Sequence, residues 1–149
     1  MEHEIIIERI GALKTLEQCA EIYPAAYNAE PWNDNWTTGT ARALLIHHHN
    51  TPNFIGWVAR RGDVIIGCAI GNIEPYYGGN IFILKEMFVA VSAQGSGVGS
   101  RLITTMKAYL KTINVKTVML FTLRPLFDFY FKSGFKEMKK AGTMVYAIE

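Results

Sequence analysis

Residues 87–102, MFVAVSAQGSGVGSRL, limit what this chain can fold into more than any other stretch. An unbroken apolar strand runs into a glycine-rich turn, and the turn opens an amphipathic helix. Gly95, Gly97 and Gly99 allow backbone N–H groups to face a common point without Cβ clashes. The helix start behind them adds unpaired donors and the positive end of a dipole. Such an arrangement suits a phosphorylated ligand such as a pyrophosphate. The plainer alternative is a tight strand-to-helix turn that holds nothing.

Three kinds of phosphate loop compete for this pattern. A P-loop needs Lys at the helix start, and none is there. A dinucleotide fold needs G-x-G-x-x-G after an early strand and an acid about 20 residues on. Here Gly95-Ser96-Gly97 is followed by Ser100, residues 114–124 contain no acid, and the loop comes late in the chain. The third pattern is Q/R-x-x-G-x-G/A, which Gln94-Gly95-Ser96-Gly97-Val98-Gly99 satisfies. Downstream, Tyr130-Phe131-Lys132-Ser133-Gly134-Phe135 satisfies Y-x-K-x-G-F. In both motifs and in their order the chain resembles the GCN5-related N-acetyltransferases (GNAT), with motif-level similarity from Lys85 to Phe135. The resemblance implies an α/β fold: a mixed, mostly antiparallel sheet of six to seven strands flanked by about four helices. It implies acetyl-CoA as co-substrate and an amine as acceptor; the His and Cys spacings give no expectation of a metal.

Bulk properties set outer bounds. A chain of 149 residues makes one domain, 1–149, that buries roughly two thirds of its unfolded surface. Half of it is apolar and 19% charged, the composition of a globular protein. A net charge of +2 gives no footprint for nucleic acid; Lys132, Lys136, Lys139 and Lys140 read as a solvated face or a mild patch near ligand phosphates. Cys19 and Cys68 lack metal-ligand spacing and read as reduced, buried thiols. MEHEIIIERI is unlike a signal peptide, and no apolar run reaches the ~18 residues of a membrane span. A cytoplasmic protein without a membrane partner is expected, and a homodimer is left open.

Pattern and turn chemistry give the order of elements. A strand at 4–10 precedes a helix from Thr15, opened by Thr15 and Gln18 and lined by Ile22, Ala25 and Ala26. Residues 28–36 break it, and Thr37 or Thr38 caps a second helix lined by Ala41, Leu44, Leu45 and His48. Strands at 54–59 and 64–72 join through Arg60-Arg61-Gly62-Asp63. A loop at 75–80 leads to a long central strand, 81–91. Val98, Leu102, Met106, Tyr109 and Ile113 line the third helix, and a buried strand follows at 115–123. Pro125 starts a short helix that ends at Gly134. Residues 135–138 and 143–148 are expected to close the fold as a hairpin around Ala141-Gly142.

The resemblance assigns the donor site to the loop from Gln94 to Gly99 with Ser100, and the pantetheine arm to the strand backbone at Phe88, Val89 and Val91. It puts Tyr130 where the family holds the proton donor for the leaving thiolate; a phenol with pKa near 10 can perform that step. The alternative makes Tyr130 one more core aromatic among Phe127, Phe129 and Phe131. Glu86 is the one acid within the apolar strand, where a carboxylate is costly without a partner or a polar cleft. It is the candidate base, or else a structural carboxylate bonded to a neighbouring strand or a tyrosine; Glu74 is the reserve. By the pleat, Lys85 points away from it. Trp32, Asp34, Trp36, Tyr76 and Tyr77 are candidates for an acceptor cleft suited to a cationic amine; packing at the helix corner is the other reading for the tryptophans. Where the family has Asn and Ala, this chain has Leu123 and Leu126, with Thr122 available as a substitute contact. His47-His48-His49 lacks the i, i+4 spacing of a zinc pair and reads as a helix end. Two functions compete: direct acetyl transfer to an amine, small or peptidic, and an acyl-CoA-responsive binding module without turnover.

Overall fold

The structure is a computed structural model that describes residues 3–148. Its elements are β1 (Ile5–Arg9), α1 (Leu13–Asn28), α2 (Thr38–His49), β2 (Phe54–Arg61), β3 (Val64–Glu74), β4 (Ile81–Val89), α3 (Val98–Thr112), β5 (Thr117–Leu120) and α4 (Phe127–Lys132), with short 3-10 turns at Val91–Ala93 and Arg124–Leu126. The five strands form one sheet in the order β1-β2-β3-β4-β5. β1 to β4 pair antiparallel, and β4 pairs with β5 in parallel through α3. Met1 and Glu2, read above as part of the N-terminal pattern, lie outside the described residues.

Both faces of the sheet are covered, and each has its own core. Trp57, Ala69, Phe82 and Leu84 pack against α3 through Leu102, Ile103 and Met106. Val58, Cys68, Ile70 and Phe88 pack against Leu16, Cys19, Tyr23 and Tyr27 of α1 and Ala41 and Leu45 of α2. Gly67 admits α3 closely: a Cβ there would lie 3.0 Å from Val98 and 3.1 Å from Leu102.

Helix starts follow local chemistry with one exception. Thr37 caps α2 in a reciprocal capping box with Thr40, as the sequence suggests. α1 instead begins two residues before Thr15, at Leu13 behind Ala12, without a side-chain cap. Its buried face is Leu16, Cys19, Ala20, Tyr23 and Tyr27, rotated from the one read off Ile22, Ala25 and Ala26. Burial of two tyrosines on the sheet outweighs capping propensity there.

The expected six to seven strands are five. Residues 135–138 and 143–148 form no strand and no hairpin. Their alternation gives them strand propensity, but a hairpin is stable only on a further strand or a packed face, and this one has neither. β5 is a four-residue edge strand rather than a buried one at 115–123; Met119 on it is 38% exposed. β4 ends at Val89, so Val91 lies beyond it in the 3-10 turn, 54% exposed.

Candidate active site

One irregularity in β4 sets the site. Ile70 pairs with Glu86 while Gly71 pairs with Leu84, so Lys85 is an extra residue, a β-bulge. Phe82 and Leu84 before it face α3; Phe88 after it faces α1 and α2. The bulge inverts the alternation and turns Glu86 toward α1 and α2. Residues 84–87 all border one cavity, with Glu86 buried and Lys85 exposed. Gly71 permits the bulge, since a Cβ there would sit 2.0 Å from the Ile83 carbonyl oxygen.

Pairing of β4 with β5 stops at Leu84 and Leu120. Past that rung the strands part and leave a cavity of about 170 Å³. Glu86 and Tyr130 both line it, together with Trp32, Asp34, Tyr27 and Thr122.

Glu86 is 9% exposed, and both its oxygens are engaged. The Tyr23 hydroxyl donates to Oε2 at 3.1 Å, and His48 Nε2 lies 3.2 Å from Oε1. Tyr27 reaches past it to donate to the Met87 carbonyl at 3.4 Å. Burial, then the Glu86 charge, pushes the Tyr23 and Tyr27 phenols well above their ordinary value. Glu86 is therefore bonded to a tyrosine and also open to a cleft; the two readings of it are compatible. Sequence reasoning missed Tyr23, Tyr27 and His48. A buried acid needs donors, and the available signal was the pair of tyrosines one helical turn apart on α1.

Tyr130 is 9% exposed, with Phe129 and Phe135 edge-on to it at 5.0 and 5.5 Å. Burial first, then the Glu86 charge, pushes its phenol up to about 12. It thus keeps its proton at neutral pH. Thr122 Oγ1 is buried in the cavity wall without a hydrogen-bond partner, which fits a contact to a bound molecule.

The remaining acceptor candidates divide. Asp34 receives the Trp36 indole N–H at 3.0 Å. Asn28 holds that loop by accepting from the Trp36 amide at 2.7 Å and donating to its carbonyl at 2.9 Å. Trp32 packs tilted against Tyr27, with ring centroids 5.4 Å apart. Trp36 packs edge-on to Tyr23 at 5.0 Å and does not line the cavity. Glu74, Tyr76 and Tyr77 are exposed at the β3–β4 turn, where Glu74 pairs with Ile81, five residues along β4 from Glu86. They do not line the cavity. His49 packs on Phe54 while His48 reaches Glu86, so those two histidines diverge. No group of three or more His, Cys, Asp or Glu able to hold a metal occurs among the described residues.

At the other end of β4, Gly95 and Gly97 adopt φ of +78° and +83°, and a Cβ at either would meet nothing within 4 Å. The loop is left-handed and open. Gly97 is the N-cap of α3 and supplies no side-chain acceptor, so the first-turn amides of α3, including Val98, Gly99 and Ser100, remain available. Gly99 has a different role: Phe129 of α4 would lie 2.9 Å from a Cβ there. Gln94 folds back to donate to the Val89 carbonyl at 3.1 Å, and the Ser96 hydroxyl donates to the Ala93 carbonyl. These two brace the loop. The uncapped first turn of α3 and the open space around Gly95 and Gly97 fit a pyrophosphate.

Residues 52–137 match the model of the acetyltransferase (GNAT) domain. The chain belongs to the GNAT acetyltransferase family. No curated protein sequence matches it significantly. Among solved structures it is similar to an aminoglycoside acetyltransferase from an uncultured soil metagenomic sample in complex with sisomicin (TM-score 0.75, 18% identity, 97% of each chain). It is similar also to an aminoglycoside N-acetyltransferase in complex with CoA (TM-score 0.71, 15% identity, 100% of this chain and 97% of that one). A transcriptional regulator from Bacillus halodurans gives TM-score 0.76 at 20% identity, over 96% of this chain and 100% of that one. Likeness at such identities establishes a shared fold. The GNAT chain has no helix among the described residues long and apolar enough to cross a membrane.

Proposed function

We propose that this chain transfers an acetyl group from acetyl-CoA directly to a primary amine of a small cationic acceptor, such as a polyamine, an amino sugar or an aminoglycoside. The observation that carries the reading is that Glu86, Tyr130, Asp34 and Trp32 line one cavity where β4 and β5 part.

Acetyl-CoA, when bound, supplies an activated acyl thioester. The amides from Gly95 to Ser100, with the α3 dipole, would hold its phosphates, and the β4 backbone at Phe88 and Val89 would carry the pantetheine arm. Val91 lies past the strand end, in the exposed 3-10 turn between β4 and the glycine loop. Thr122 Oγ1, just past β5, offers a side-chain contact in place of the Asn that family members place near the end of their fifth strand.

An amine attacks only when neutral, so the site must take up a proton. Glu86 is that acceptor, directly or through a water. Tyr23 and His48 hold its carboxylate toward the cavity and compensate its burial. Tyr130, a neutral phenol at physiological pH, returns a proton to the departing thiolate. Asp34, fixed by Trp36, and the Trp32 face attract a positive acceptor through charge and cation–π contact. Aminoglycosides, named for two of the similar structures, belong in that class.

The test is thiol release from acetyl-CoA across polyamines, amino sugars, aminoglycosides and short peptides. Turnover is expected with a small cationic amine. Tyr130→Phe and Glu86→Gln should each lower kcat by about 10²–10³-fold while donor affinity stays unchanged. Tight CoA binding without turnover on any amine would instead make the chain a binding module.

A further inference from the structure

The reaction proposed above leaves one proton over. A cationic acceptor enters as an ammonium ion and leaves as an amide, so two protons depart from its nitrogen as the C–N bond forms and the C–S bond breaks. One ends on the sulfur of CoA. The other must reach water in every turnover. Glu86, which takes up a proton, is buried in the cavity wall, and the two substrates together would fill the cavity it faces.

The groups around Glu86 leave one way out. Tyr23 and Tyr27 of α1, Cys68 of β3 and Tyr130 of α4 feel its charge, and burial above all pushes each of them up. Each therefore holds its own proton near neutral pH and cannot accept a second. His48 of α2 differs. Its Nε2 lies 3.2 Å from Glu86 Oε1, the oxygen that Tyr23 leaves free. Its side chain is 12% exposed and takes no part in the cavity lining, so it stays accessible when the cavity is full. Nδ1 bonds to no described residue and is not a buried orphan, as His49 Nδ1 is, so it meets water. The exposed His47 stands edge-on beside the ring, with centroids 5.8 Å apart. One imidazole nitrogen thus faces the acid and the other faces solvent. Imidazole is the side chain suited to gain and lose a proton between about pH 5 and 8.

We infer that His48 is the exit for the surplus proton: Glu86 takes it from the amine, His48 Nε2 takes it from Oε1, and His48 Nδ1 gives one up to water. Glu86 returns to the carboxylate, and exchange with water between turnovers restores the imidazole tautomer. His48 touches neither substrate and acts through Glu86, so the inference rests on the amine-transfer reading.

The test uses the full chain with acetyl-CoA and spermidine, glucosamine or sisomicin as acceptor. His48→Gln keeps a donor for Oε1 but relays nothing; His48→Ala opens the position to a small base from solution. Both should keep CoA-induced thermal stabilisation and wild-type KM values while kcat falls about tenfold or more. Added imidazole should restore kcat of His48→Ala in proportion to its concentration and leave the wild type and Glu86→Gln unchanged. A kcat for His48→Gln within about twofold of wild type makes His48 a hydrogen-bond partner only and overturns the inference. So does a loss in His48→Ala that imidazole fails to restore. Both of those results leave the acceptor reading standing. A wild type that acetylates none of the three amines overturns that reading, and the proton exit falls with it.

Discussion

Glu86 illustrates how a costly residue is made tolerable and useful together. Its burial is compensated by one tyrosine and one histidine, from two helices, on its two oxygens. Tyr23→Phe removes the donor to Oε2 and should destabilise the fold by about 1–3 kcal/mol, read by urea denaturation. An unchanged midpoint would mean that water replaces the phenol at no cost. Tyr130 makes a pH prediction. Its folded pKa lies above the ordinary phenol value, so the native state retains a proton that the unfolded chain loses above roughly pH 10. Stability from this group is therefore complete below about 10 and falls as pH rises toward about 12. For the same reason kcat should show no descending limb from Tyr130 below that range. A limb near pH 9 that disappears in Tyr130→Phe would contradict the assignment.

At the scale of elements, the bulge in β4 matters more than the strand's length. Without it Glu86 would share the side of Phe82 and Leu84, inside the α3 core and away from Tyr23 and His48. Gly71→Ala is the direct probe, because its Cβ meets a backbone oxygen that no rotamer can move. A loss of about 1–3 kcal/mol is expected, a fall in Tm of roughly 2–4 °C for each kcal/mol in a domain of this size. Activity should fall further than stability does, since Glu86 loses its aim. If the variant has wild-type Tm and turnover, the bulge is not what positions the acid. The start of α3 is the second such device: two left-handed glycines lead into a first turn with no side-chain cap, and Phe129 on Gly99 ties the loop to α4.

For the whole molecule, the proposed donor and acceptor sites lie along one strand, with the glycine loop past its end and Glu86 within it. Binding at the loop should be felt globally. Acetyl-CoA or CoA at about 100 times its Kd should add about 2.7 kcal/mol, a rise in Tm of roughly 5–10 °C by thermal-shift assay. NAD and ATP should give much less. Stabilisation by NAD equal to that by CoA would reopen the dinucleotide reading.

The glycine loop, the helix behind it and the order of elements were legible because each depends on local chemistry: positive φ, apolar period and a threonine cap. Two motifs at fixed spacing were enough to indicate the family that the domain match then established. Glu86 and Tyr130 were visible as residues, but their shared cavity was not, because the parting of β4 from β5 is a property of the sheet. Tyr23 and His48 lie 63 and 38 positions from Glu86, and no pattern within one element links them. The bulge was hidden because alternation along β4 looks unbroken: Phe82, Leu84, Glu86 and Phe88 are all buried, two on each face. The closing hairpin failed for the reverse reason. Residues 143–148 carry every local mark of a strand, but a strand exists only where an edge receives it, and that is decided by tertiary structure.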